Sequence, residues 1–140
     1  MIKVWDWRLV NISDKAKIGN GTIIHTFVSI HEEVVIGENC QIEANVFIPN
    51  GVVIEDNVFV GPGVVFTNDK KLVNRDEFKP IPTLIKSGAK IGANSTIACG
   101  ITIGKGSVIG QASNVLKDVP DNEMWFGNPA KYFKKVKPEV

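Results

Sequence analysis

Apolar residues recur along this chain at an interval that fits neither an α-helix nor an isolated alternating strand. Ile12, Ile18, Ile24, Ile30, Ile36, Ile42, Ile48, Ile54, Val60 and Phe66 fall six residues apart without a break, and Ile85, Ile91, Ile97, Ile103, Ile109 and Val115 resume the rhythm. A second set, small or β-branched, lies two residues before these anchors, as in Thr22, Val28, Val34, Cys40 and Val46, and later Ala89, Ser95, Ile101, Ser107 and Ser113. Residues i and i−2 of a strand point to the same side, so both sets face one core. Gly often follows the anchor, as in Ile18-Gly19, Ile36-Gly37 and Ile91-Gly92, which suits a corner too tight for a Cβ. The pattern predicts a solenoid of short strands and corners. Three sides would make about 18 residues per turn, with anchors 18 apart stacking roughly 4.8 Å from one another; the period alone fixes neither the number of sides nor the hand.

The rhythm stops over residues 67–84, TNDKKLVNRDEFKPIPTL, a charged stretch with two prolines. It reads as a loop leaving a corner, and a long loop in a compact domain is commonly functional. Trp5, Trp7 and Leu9 alternate with polar residues near the start, the pattern of a capping strand. The expected organisation is one domain over 1–140. It has a capping strand at 1–11, repeat turns at 12–66 and 85–120, a protruding loop at 67–84 and a C-terminal tail at 121–140.

Composition agrees with the pattern: 17 Ile and 18 Val stand against four Leu, a bias that favours strands over helices. Lys and Arg total 16 against 15 Asp and Glu, a net charge of +1, which gives no footprint for nucleic acid. No apolar run approaches the roughly 18 residues of a membrane span, and the charged N-terminus lacks a signal-peptide core, so a cytoplasmic protein is expected. Cys40 and Cys99 have neither disulfide-framework nor zinc spacing. His25 and His31, six apart, belong to different corners and cannot supply a zinc ligand set between them; no metal is expected.

His25 and Glu43 are 18 apart, and each follows an anchor. They should stack at one corner of successive turns, where a carboxylate beside an imidazole fixes its tautomer, the usual setting of a general base. Asn45 lies near the same corner and could donate to a substrate oxygen.

The motifs Ile36-Gly37-Glu38-Asn39-Cys40 and Ile91-Gly92-Ala93-Asn94-Ser95, with Gly127-Asn128-Pro129-Ala130-Lys131 near the end, resemble the hexapeptide-repeat acyltransferases. That resemblance implies an all-β fold, a left-handed parallel β-helix, here of about five coils with one loop excursion and a short tail. It also implies a homotrimer with acetyl-CoA lying between adjacent solenoids. Apolar residues at outward positions, among them Ile23, Val35, Phe47, Val53, Phe59, Val65 and Val108, independently suggest association.

The stretches Phe66-Thr67-Asn68-Asp69 and Thr83-Leu84-Ile85-Lys86-Ser87-Gly88-Ala89 resemble the nucleotide-sugar N-acetyltransferase branch, which acetylates an aminodeoxyhexose. On that resemblance Asn68, Asp69 and Arg75 would contact the sugar. Ala93, Gln111, Leu116, Lys117, Lys131 and Lys134 would contact acetyl-CoA, the last two through its phosphates. The rival functions are a sugar O-acetyltransferase and a non-catalytic β-helix scaffold.

Overall fold

The computed structural model describes residues 1–73 and 75–138, with only the backbone of Arg75. Most strands are two or three residues long, separated by corners, and they stack into three faces. The first face runs through Lys3–Val4, Ile23–Ile24, Gln41–Ile42, Phe59–Val60, Lys90–Ile91, Val108–Ile109 and Glu123–Gly127. The second holds Asn11–Ile12, Ser29–Ile30, Phe47–Ile48, Val65–Phe66, Thr96–Ile97 and Asn114–Val115, and the third Lys17–Ile18, Val35–Ile36, Val52–Ile54, Thr83–Ile85 and Thr102–Ile103. This is the expected all-β, left-handed parallel β-helix.

Pairing follows the repeat. Asn11 pairs with Ser29, Lys17 with Val35 and Ile23 with Gln41, each partner lying three sides of the repeat further along the chain. The solenoid makes about seven turns rather than the five expected. The additions lie at its ends, where the six-residue rhythm is weakest. Lys3–Val4 pairs parallel to Ile23–Ile24, and Glu123–Gly127 parallel to Val108–Ile109. In the first turn a 3₁₀ segment, Trp7–Leu9, is capped by Asp6, whose carboxylate accepts the Arg8 amide. It lengthens that turn, so Val4 stacks on Ile24 and not on Thr22, the partner that the regular repeat would give it. After Glu123–Gly127 the chain reverses, and Ala130–Lys135 pairs antiparallel with it.

The anchors from Ile24 to Ile109 are at most 2% exposed, and each such side chain contributes roughly 1.5–3 kcal/mol by leaving water. Where the inner set is polar, the hydroxyls of Thr22, Ser95, Ser107 and Ser113 are bonded, as buried groups usually are, whereas that of Thr83 is buried without a partner among the described residues. Thr22 Oγ1 donates to the Gly37 carbonyl and accepts the Cys40 amide, and Ser95 Oγ donates to the Gly110 carbonyl and accepts the Ser113 amide. Cys40 is buried with its Sγ 3.0 Å from the Glu55 carbonyl, and burial pushes its thiol pKa up.

The loop inserts without disturbing the ladders. Phe59 pairs with Lys90 and Val65 with Thr96 across the excursion, and both pairs stay parallel and in register. Thr83 and Leu84 belong to the strand that follows, so the excursion closes at Pro82, ahead of its expected end at Leu84. The outward apolar residues are spread over all three faces: Phe47 and Val65 on the second and Val35 and Val53 on the third are 36–38% exposed, whereas Ile23, Phe59 and Val108 on the first are half-buried. Among the described residues no helix is long and apolar enough to cross a membrane.

Candidate functional site

The corner between the first and second faces carries Trp5, His25, Glu43, Gly61, Gly92 and Gly110 in successive turns, because each follows the inward residue of a first-face strand. His25 Nε2 lies 2.8 Å from Glu43 Oε2, with both side chains about a quarter exposed. Glu43 Oε1 accepts from Gln41 Nε2 at 3.2 Å. On the other side of His25, the Trp5 indole stacks on the imidazole with centroids 5.2 Å apart and an interplanar angle of 15°. Asn45 is exposed at the same corner with φ of 63°, and its amide donates to the Thr26 carbonyl. Asparagine tolerates that left-handed backbone well, so the residue shapes the turn.

The loop leaves from the opposite edge of the second face. There Asn68 Nδ2 donates to the Asn50 carbonyl at 2.9 Å, and the Asp69 carboxylate accepts the amides of Lys71, Leu72 and Val73. Thr67 Oγ1 donates to the Ile97 carbonyl and accepts the Cys99 amide. Between the loop and the next two turns lies a groove of about 820 Å³, lined by Thr67, Asp69, Lys70, Thr96, Cys99, Asn114, Leu116 and Lys117 among others. That volume is within the range of small-molecule sites. Arg75 opens a 3₁₀ turn in the loop, but its side chain lies outside the described residues.

Ala93 and Gln111 stack one above the other beside the glycine column, where the Ala112 amide donates to the Ala93 carbonyl at 2.8 Å. A Cβ on Gly92 would stand 2.6 Å from the Gln111 amide nitrogen, so only glycine permits this approach. Lys131 and Lys134 are exposed on the returning strand. Gly127 turns the hairpin with φ of 111°, and Asn114 Nδ2 donates to Asn128 Oδ1. The Lys135 ammonium and the Trp125 indole N–H both bond the Glu123 carboxylate and hold it below the usual glutamate pKa.

The sequence-predicted residues thus fall into groups. His25 joins Glu43, Ala93 joins Gln111, and Asp69, Leu116 and Lys117 share the groove. His25 and Asp69 sit at opposite corners of the second face, in different turns. Sequence reasoning misses Trp5 and Thr67. Trp5 escapes counting by six because the 3₁₀ segment shifts its phase, whereas Thr67 stands in plain view within Phe66-Thr67-Asn68-Asp69. Among the described residues no three His, Cys, Asp or Glu side chains are grouped to hold a metal ion.

Comparison with known proteins agrees with this architecture. The family described as bacterial transferase hexapeptide (six repeats) matches residues 15–50, 33–68 and 82–117. A dTDP-3-amino-3,6-dideoxy-alpha-D-galactopyranose 3-N-acetyltransferase of Aneurinibacillus thermoaerophilus is 47% identical over 49 residues, 35% of this chain and 26% of the relative. A hexapeptide-repeat acetyltransferase of Vibrio cholerae O1 biovar eltor, solved with acetyl coenzyme A, is 26% identical with a TM-score of 0.75, over 87% of this chain and 72% of that one. A variant of perosamine N-acetyltransferase from Caulobacter crescentus, solved with CoA and GDP-perosamine, has a TM-score of 0.82 at 19% identity, over 96% of this chain and 58% of that one. The last is a likeness of fold. The chain spans less than two thirds of both the Aneurinibacillus and the Caulobacter proteins.

Proposed function

The chain belongs to the bacterial transferase hexapeptide family, and on that footing we propose that it is an acetyl-CoA-dependent N-acetyltransferase acting on the amino group of a nucleotide-linked aminodeoxy sugar. The observation that carries the proposal is the groove between the loop and the Leu116–Lys117 corner, which joins Asp69 to Lys117 in one open space. The named activity of the Aneurinibacillus relative supports the acceptor class. The acetyl coenzyme A in the Vibrio structure supports the donor.

Acetyl-CoA fits the residues present. The outward Thr96 and Asn114 offer polar contacts along the second face, Ala93 and Gln111 border it, and Lys117, Lys131 and Lys134 supply cations for phosphate. Bound there, acetyl-CoA supplies an activated acyl group. The neutral sugar amine attacks the thioester carbonyl, a C–N bond forms, the C–S bond breaks and CoA leaves as thiolate. The amine's surplus proton passes to His25 or to the departing thiolate. Backbone amides stabilise the developing oxyanion, and confinement of both reactants supplies much of the rate.

One chain holds His25–Glu43 and the groove at opposite corners of the second face. We infer that a homotrimer brings the pair of one subunit against the groove of its neighbour, and the outward Phe47 and Val65 on that face support such contacts. A cytoplasmic setting suits the donor and the two free, buried thiols.

The His25–Glu43 contact also favours a second reading, acetylation of a sugar hydroxyl, because that poorer nucleophile needs a base. A thiol-release assay across nucleotide-linked aminosugars and their hydroxyl counterparts decides between them. Turnover confined to the amines is expected; turnover confined to the hydroxyls transfers the assignment. Failure to bind acetyl-CoA by calorimetry overturns both and leaves a scaffold.

A further inference from the structure

Four side chains continue one another across three turns beside the corner. Trp5 stacks on His25, His25 bonds Glu43, and Glu43 bonds Gln41. Lys3 Nζ adds a cation 5.3 Å from the Trp5 ring centroid. The backbone spaces the members of this run. The Trp5 amide donates to the Ile24 carbonyl, His25 to Ile42 and Glu43 to Val60, all at 2.9–3.0 Å.

Each contact removes a different freedom of the imidazole. The bond from Nε2 to Glu43 fixes one ring atom, and it puts the proton of the neutral ring on Nε2, leaving the lone pair on Nδ1. The ring could still rock about that bond. The flat indole, stacked almost parallel to the imidazole, opposes such rocking, and offset stacking is a favourable arrangement for the two rings. Trp5 is 61% exposed, so most of its surface is not engaged in filling the core, and the stacked imidazole is its evident partner.

We propose that Trp5 is a positioning residue that clamps the His25 ring, so that Nδ1 is the nitrogen presented to the acceptor. This rests on the reading of His25 as the acceptor's base. In the transfer step the amine's proton moves to Nδ1, while Nε2–H keeps its bond to Glu43 and the negative carboxylate stabilises the resulting imidazolium.

The test uses the full chain with Trp5→Ala and Trp5→Phe, steady-state kinetics with acetyl-CoA and the acceptor found by the thiol-release screen, and ¹⁵N spectra of the His25 ring. Trp5→Ala should lower kcat about tenfold or more with the KM for acetyl-CoA within twofold of wild type, and Trp5→Phe, which keeps a flat ring, should restore most of it. The wild-type ring should show the Nε2–H tautomer, and Trp5→Ala should mix the two. Wild-type kcat in Trp5→Ala, or an Nδ1–H tautomer in the wild type, overturns the proposal. The spectra need no turnover, so they judge the clamp even if a fully active His25→Ala has removed the base role.

Discussion

The Asn68 side-chain amide reaches back one turn to the Asn50 carbonyl at 2.9 Å, stitching the foot of the loop to the solenoid. The Ile81 amide returns to the Asn68 carbonyl at 3.0 Å, so one residue gathers both ends of the excursion. Replacing Asn68 by Ala should cost about 1 kcal/mol and open the loop to proteases. Limited proteolysis followed by mass spectrometry should place the first cuts between Asp69 and Pro80. A cleavage pattern identical to wild type would show the stitch to be idle.

If the bonded His25–Glu43 pair at the first corner abstracts the acceptor's proton, its members should fail together. His25→Ala and Glu43→Gln should each lower kcat/KM by roughly 10² or more, and the double variant should be little worse than the poorer single one. Additive losses would separate the two residues. Near-wild-type kcat/KM in His25→Ala would give the proton to the thiolate alone.

Gly92→Ala forces a methyl group against backbone that cannot swing away, 2.6 Å from the Gln111 amide nitrogen and 2.8 Å from its Cα. Overpacking of this kind costs about 1–3 kcal/mol, measurable as a lower urea midpoint. Because Gln111 is also a candidate contact for acetyl-CoA, the KM for the donor should rise in the folded variant.

The C-terminal hairpin carries its own pH dependence. Glu123 is held below its ordinary value of 4.5, chiefly by the hydrogen bond from Lys135, so its contribution is present above that value and is lost as pH falls through the lowered one. Lys135 is raised above 10.5 by the same bond, so its share is present below that value and is lost as pH climbs through the raised one. Fluorescence of Trp125, whose N–H bonds Glu123, should report loosening of the hairpin below about pH 4.5. Glu123→Gln should abolish that transition.

The regular part of the solenoid was legible because each inward position tolerates only a narrow class of side chain. Ile36, Ile42 and Ile48 declare both the period and the side that faces in. The His25–Glu43 contact followed from the same counting, since one three-sided turn places them in adjacent rungs. The ends were not legible. The first turn is stretched by the 3₁₀ segment at Trp7–Leu9, which put Lys3–Val4 out of step and hid Trp5. Asn68 and Asp69 stood out as polar residues before a loop, but sequence spacing says nothing about whether a side chain meets a ligand or its own backbone. In the structure both bond the backbone of the chain itself.

The excursion at Thr67 leaves and rejoins the solenoid while the strands on either side remain one rung apart. Scaffold and loop are therefore separable units of inheritance. The ladders on either side run on in register past the loop, so changes of length or composition between its stitched ends need not shift a neighbouring rung. A fold of this kind can exchange one segment, the part in which we propose the acceptor is met, while the turns that follow, where we propose the donor sits, are carried forward intact.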